Sequence, residues 1–201
     1  MNPFRWARAE ILRAAWRRGW YAPPDRRVLV GEILPALARD PAIRSVLFVG
    51  VQWYTVGYPR IFTDASFATI DPDPAVTRFG GAPHIVGRVQ DLATHFPAST
   101  FDAIVVTGVI GYGLNDPLAV ELALTACATA LRPGGWLILG VNERLPTHVD
   151  PAVTRASRAF EPQPFGRFAT ARVDIALPFN ERRHTFHFWR RRESAGPAAS
   201  D

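Results

Sequence analysis

The sequence predicts an α/β protein: a doubly wound, mostly parallel sheet of seven strands closed by a C-terminal antiparallel hairpin. Three observations predict it. The run Val46-Leu47-Phe48-Val49 ends at once in Gly50, the pattern of a strand buried on both faces within a helix-covered parallel sheet. A second run, Phe67-Ala68-Thr69-Ile70, ends in Asp71 about 20 residues after that glycine, where a doubly wound fold places the acid that holds ribose hydroxyls. Further apolar runs alternate with helical stretches, which implies right-handed crossovers between parallel strands.

In chain order, residues 4–20 space Phe4, Ala7, Ile11, Leu12, Ala15 and Trp16 at helical intervals with arginines between them, an amphipathic basic helix. Gly19 and Pro23-Pro24 stop it, and Val28 to Ala38 reads as a second helix despite Pro35. After the two strands already named, Pro74 to Phe79 fits a short helix, His84 to Gly87 a third strand, and Asp91 to Phe96 a short helix or turn. Phe101 to Val106 is the fourth strand. A loop with Gly108, Gly111 and Gly113 leads to Asn115-Asp116-Pro117, an N-cap followed by proline at the first helical position. The helix from Pro117 to Leu131 turns at Arg132-Pro133-Gly134-Gly135 into strand five, Trp136 to Gly140. Phe168 to Leu177 and His184 to Trp189 then form the antiparallel pair.

With 201 residues and 48% hydrophobic content the chain is long enough for one sizeable core and short for two. We expect a helical cap over residues 1–42, an α/β domain over 43–191 and a disordered tail over 192–201. The single Cys127 excludes a disulfide framework and a cysteine-based zinc site. No apolar run reaches the length of a membrane span and no uninterrupted apolar leader opens the chain, so a cytoplasmic setting is expected. The net charge of +5 permits a polyanionic partner without demanding one, since the excess arginines lie mainly near the two ends. No metal-ligand spacing such as H-E-x-x-H occurs. Oligomeric state is not readable at this level.

The acid closing strand two, the segment Phe101-Asp102-Ala103-Ile104-Val105-Val106, and Leu131-Arg132-Pro133-Gly134-Gly135 before Trp136-Leu137-Ile138-Leu139 occur in this order. Together with the closing hairpin they resemble a class I S-adenosylmethionine-dependent methyltransferase over roughly residues 43–191. The resemblance implies S-adenosylmethionine as cofactor and a small-molecule or glycan acceptor methylated on oxygen or nitrogen. This chain departs from the family in the loop after strand one. Phe48 stands where an acid is usual, and Val51-Gln52-Trp53-Tyr54-Thr55-Val56-Gly57-Tyr58 is aromatic where glycines are usual. The G-x-G-x-x-G pattern that lets backbone N–H groups reach a pyrophosphate is absent, which ranks a nicotinamide cofactor below one without phosphate. A silent cofactor-fold binding protein and a nucleic-acid methyltransferase are the alternatives.

By resemblance, Asp71 accepts the ribose hydroxyls, with Pro72 beside it; Gly50, Val51, Gln52 and Thr55 take the methionine end. Val89 and Asp91 lie at the adenine, and Gly108 and Val109 near the sulfonium. Tyr54, Tyr112 and Asn142 are expected at the acceptor, and His148 and Glu143 are the nearby residues with proton-transfer chemistry. His84, His184 and His187 alternate with apolar residues and read as structural.

Overall fold

The computed structural model describes residues 10–12, 14–143, 149–177 and 183–193. Its centre is one sheet in the order β3-β2-β1-β4-β5-β8, with β6 and β7 both on the outer edge of β8. The strands are β1 (Ser45–Val49), β2 (Ser66–Asp71), β3 (His84–Val86), β4 (Phe101–Thr107), β5 (Leu131–Glu143), β6 (Phe160–Pro162), β7 (Arg172–Ala176) and β8 (Arg183–Arg191). β1 to β5 run parallel, while β8 is antiparallel to β5, β6 and β7. The seven expected columns are present. The last is shared by two short strands, of which β6 was not foreseen.

Alternation along the strands divides the core into two layers. Leu47, Val49, Ile70, Ile104, Val106, Leu137 and Leu139 face one side, against the helix α3 (Pro117–Ala130) and the one-turn helix α2 (Leu92–His95). Val46, Phe48, Phe67, Ala103, Val105, Ile138, Phe186 and Phe188 face the other, against α1 (residues 24–39). Covering both faces is what strands of continuous apolar sequence require. Asp116 caps α3 by accepting from the backbone N–H groups of Leu118 and Ala119, with Pro117 at the first position, as expected.

α1 begins at Pro24, four residues earlier than the apolar spacing suggests, and widens to a π-turn over Leu29–Ile33 before Leu34–Arg39. Pro35 explains the widening: it has no N–H to donate and its ring crowds the preceding carbonyls. The i→i+5 pattern, in which the N–H of Leu34 donates to Leu29, passes the chain over that gap. Before it, residues 10–12 and 14–17 are helical, and Gly19 at φ 74° closes that helix with N–H bonds from Gly19 to Trp16 and from Trp20 to Ala15. Ile11, expected on the buried stripe, is exposed instead. Residues 4–9 of the expected helix lie outside the described residues, as does most of the expected C-terminal tail, 194–201.

The two segments that carried the family resemblance prove to be one structural unit. Asp102, buried, accepts from the N–H of Arg44 (2.8 Å), the N–H of Ser45 (2.9 Å) and the hydroxyl of Ser45 (3.0 Å), which ties the start of β4 to the start of β1. Arg132 pairs with the same carboxylate from the turn before Trp136. Phe101 stands opposite Leu131, and the bulge of Arg132-Pro133-Gly134-Gly135 restores register at Ala103 and Trp136.

Candidate functional site

The strand order reverses between β1 and β4, and open α/β sheets hold ligands at the carboxyl ends of such strands. A cleft of about 540 Å³ lies there. Its wall is made by Val49 to Gln52 and Tyr54 after β1, Ile70 to Pro72 after β2, and Gly87 to Gln90 after β3. Thr107 to Val109 follow β4, and Tyr112 to Leu114 with Ala119 complete it.

Asp71 is the centre of this wall. One carboxylate oxygen accepts the N–H of Val51 (2.9 Å) and the other the N–H of Asp73 (2.9 Å), so the side chain is fixed while each oxygen keeps acceptor capacity for a ligand hydroxyl. The Val51 bond also pins the loop after β1 to the end of β2. Gly50, at φ 85°, donates its N–H to Ile70 (3.0 Å), and a Cβ there would stand 2.8 Å from Val109 Cγ2. Only glycine lets the loops after β1 and β4 approach this closely. The N–H of Gln52 is held by the Thr55 hydroxyl (3.1 Å). The first three backbone donors after β1 are therefore engaged within the protein, which suits a ligand without phosphate.

Of the residues singled out in the sequence, the structure brings Gly50, Val51, Gln52, Tyr54, Asp71, Pro72, Val89, Gly108, Val109 and Tyr112 to one cleft, with Tyr112 60% exposed at its mouth. Four expected residues are elsewhere. Thr55 is buried beneath the loop, its hydroxyl donating to the Gln52 carbonyl (2.8 Å). Asp91 points to solvent, and the wall after β3 is made by Arg88, Val89 and Gln90 instead. Asn142 is buried against β8, its Oδ1 3.0 Å from His184 Nδ1. Glu143 is held by Arg172 and by the Thr185 hydroxyl (2.9 Å), in a network on β5, β7 and β8. The reason is the same for the last two: an antiparallel partner on β5 turns the end of that strand into paired sheet. His148 lies outside the described residues.

Sequence reasoning missed a charged group beside the cleft, in the first turn of α1. Asp25 is buried there, and burial raises its carboxyl above the usual range, partly offset by Arg26, whose Nε lies 3.6 Å away. The Arg26 guanidinium sits over the ring of Tyr54, 4.9 Å from its centroid, and Tyr58 hydrogen-bonds it. Nothing in the periodicity of α1 marks these residues as different from a solvated helix start. Trp16 packs on Tyr54 and Trp53, at ring separations of 5.0 and 5.6 Å, and so joins the N-terminal helix to the same loop.

Of the histidines read as structural, His84 Nδ1 lies 2.8 Å from the Thr69 hydroxyl, and His184 is fully buried. Burial, with the nearby Arg26 charge, lowers His184 to about 3. Its Nε2 and the Thr107 hydroxyl flank Gly140, where a Cβ would meet them at 2.7 and 2.5 Å. Cys127 is buried, and burial pushes its thiol up to about 12, which leaves it unreactive.

Among solved structures, the chain is similar to the N-methyltransferase NodS from Bradyrhizobium japonicum WM9 in complex with S-adenosyl-L-homocysteine. The TM-score is 0.64 at 19% identity, over 94% of this chain and 99% of that one. It is also similar to the Burkholderia thailandensis 1,6-didemethyltoxoflavin-N1-methyltransferase with bound 1,6-didemethyltoxoflavin and S-adenosylhomocysteine, at TM-score 0.55 and 16% identity over 96% and 92% of the two chains. The [4+2]-cyclase SpnF matches at TM-score 0.61 and 11% identity, over 85% and 82%. No protein-family model and no curated protein sequence matches the chain. These likenesses show the fold, that of class I S-adenosylmethionine-dependent methyltransferases, as the sequence suggested. Because a cyclase shares it, the reaction is argued from the site.

Proposed function

We propose that this chain is an S-adenosylmethionine-dependent methyltransferase that methylates oxygen or nitrogen of a small molecule or glycan. The observation that carries the reading is Asp71: a carboxylate fixed by two backbone N–H bonds at the tip of β2, on the wall of a cleft at the sheet's switch point. It suits two ribose hydroxyls, which an amide or apolar side chain would not receive as well. Val89 and Gln90 would flank the adenine, with Pro72 beside the ribose. Gly50, Val51 and Gln52 would border the amino-acid end, and Gly108 and Val109 the sulfonium. When bound, the cofactor supplies an electrophilic methyl group. Tyr54 and Tyr112 would wall the acceptor, orient it for in-line attack and exclude water.

Among the described residues the cleft wall holds no histidine and no carboxylate besides Asp71. The wall thus supplies positioning, with His148 as the remaining candidate for proton transfer. The relatives named above support the substrate class, as N-methyltransferases in two cases. A nucleic-acid partner is disfavoured by how the C-terminal arginines are used. Arg190 covers the Trp136 ring at 4.2 Å, Arg191 donates to the Leu131 carbonyl, and Arg192 donates to the Arg158 carbonyl. No helix among the described residues is long and apolar enough to cross a membrane, and the free, buried Cys127 supports a reducing, cytoplasmic setting.

Isothermal titration with S-adenosylhomocysteine tests the reading. We expect saturable binding, weakened about 10- to 100-fold by Asp71→Ala, the loss appropriate to hydrogen bonds to a charged group. Absence of heat at millimolar ligand, or an Asp71→Ala variant that binds as tightly as the parent, would overturn it. The binding-only alternative gains from the scarcity of proton-transfer groups in the wall. Labelled S-adenosylmethionine offered with a metabolite extract separates the two: label appearing in a small-molecule product excludes a silent protein.

A further inference from the structure

Resting on that reading of the cleft, we infer that Arg26, from the first turn of α1, holds the carboxylate at the amino-acid end of the cofactor. The first three backbone donors of the loop after β1 are already taken. The N–H groups of Gly50, Val51 and Gln52 are bonded to the Ile70 carbonyl, Asp71 and Thr55 respectively. At the end of β4 the N–H of Gly108 is bonded to the Gly140 carbonyl (3.3 Å). A carboxylate brought into such a cleft loses water and needs a charged donor in return.

Arg26 is placed to be that donor. Its side chain is only 11% exposed, and its guanidinium is wedged between two residues of the cleft wall. On one side it lies over the Tyr54 ring; on the other, Nη2 comes within 3.1 Å of where a Cβ of Gly108 would stand. Gly108, at φ 72°, is therefore the opening through which the guanidinium meets the wall. Tyr58 lies beside the guanidinium, but burial keeps its phenol protonated, so it supplies no negative charge. Asp25 approaches only to 3.6 Å of Nε, and burial disfavours its ionised form. A buried guanidinium with no carboxylate at hydrogen-bonding distance favours an incoming anion. Arg26 stands directly behind the wall at Tyr54 and Gly108; among the described residues that line the cleft Arg88 is the arginine, but it is exposed and follows β3, at the opposite end from Gly108. The arrangement accounts for the aromatic loop: Tyr54 supplies the ring face that aims Arg26, in place of glycines offering backbone N–H groups.

The test is isothermal titration of the full chain with three probes: S-adenosylhomocysteine, its decarboxylated analogue that keeps the amine, and 5′-methylthioadenosine, which lacks the whole amino-acid end. The parent protein should bind S-adenosylhomocysteine about 10- to 100-fold more tightly than the decarboxylated analogue. Arg26→Met should remove most of that difference while leaving 5′-methylthioadenosine affinity within about twofold, and Arg26→Lys should restore part of it. A merely structural Arg26 would weaken all three probes together. That result would overturn the inference, as would equal affinity of the parent for S-adenosylhomocysteine and the decarboxylated analogue, a comparison that needs no variant. If no probe binds the parent, the cofactor reading fails with it; if 5′-methylthioadenosine binds and discrimination is absent, only Arg26 falls.

Discussion

His184 shows what a single buried side chain does to the behaviour of the protein. Its folded value near 3 lies below the ordinary 6.5, so between these limits the unfolded chain holds a proton that the native state refuses. Stability from this group is complete above about pH 6.5 and is lost as pH falls toward 3. The expected loss is about 3 kcal/mol by pH 4.5. His84 and His187, also lowered by burial, pull in the same direction. Denaturant melts from pH 7 to 4.5 should show a flatter slope for His184→Gln than for the parent; equal slopes would contradict the assignment. Legibility differs sharply between residues. Asp71 is readable because its position follows from the strand it ends. Thr55, Asp91, Asn142 and Glu143 sit near the site in sequence, but their directions are set by turns and by antiparallel pairing that periodicity does not encode. Arg26 gave no signal, since helical spacing does not distinguish an arginine over a tyrosine ring from one in water.

Among the elements, α1 carries the clearest conflict between local preference and fold. Pro35 would break an ordinary helix, and the π-turn over Leu29–Ile33 absorbs it. Gly31 lies in that turn, exposed, with no positive φ and no atom within 4 Å of where a Cβ would stand. Gly31→Ala should therefore stabilise the protein by about 0.5–1 kcal/mol, chiefly by restricting the unfolded chain, as read from the denaturation midpoint. Destabilisation would mean that the turn needs glycine's backbone freedom. The five parallel strands and α3 were legible because buried runs, an Asx cap and a proline at the first helical position all agree at those places. β6 was not: three residues of Phe160–Pro162 are too few to show alternation, and they become a strand only by lying against β8. The pairing of Phe101-Asp102 with Leu131-Arg132 was visible as a motif, while its cause, one carboxylate shared by β1, β4 and the turn before Trp136, needed the third dimension.

At the scale of the whole molecule, the cleft borrows walls from the ends of β1, β2, β3 and β4, so a ligand bound there joins segments distant in sequence. Ligand at one hundred times its dissociation constant stabilises a protein by about 2.7 kcal/mol. For a chain of this size that corresponds to roughly 5–10 °C in Tm. Thermal melts with S-adenosylhomocysteine should show this rise, and Asp71→Ala should shrink it at the same ligand concentration. The borders of the sheet carry a separate consequence. One margin is β3, with three residues, and the other is divided between β6, with three, and β7, with five. Among the described residues, a stray strand seeking to extend the ladder meets stubs on either flank, too brief to template cross-β growth. Crowded solutions of the folded protein should accordingly resist fibril formation, however apolar the interior strands are.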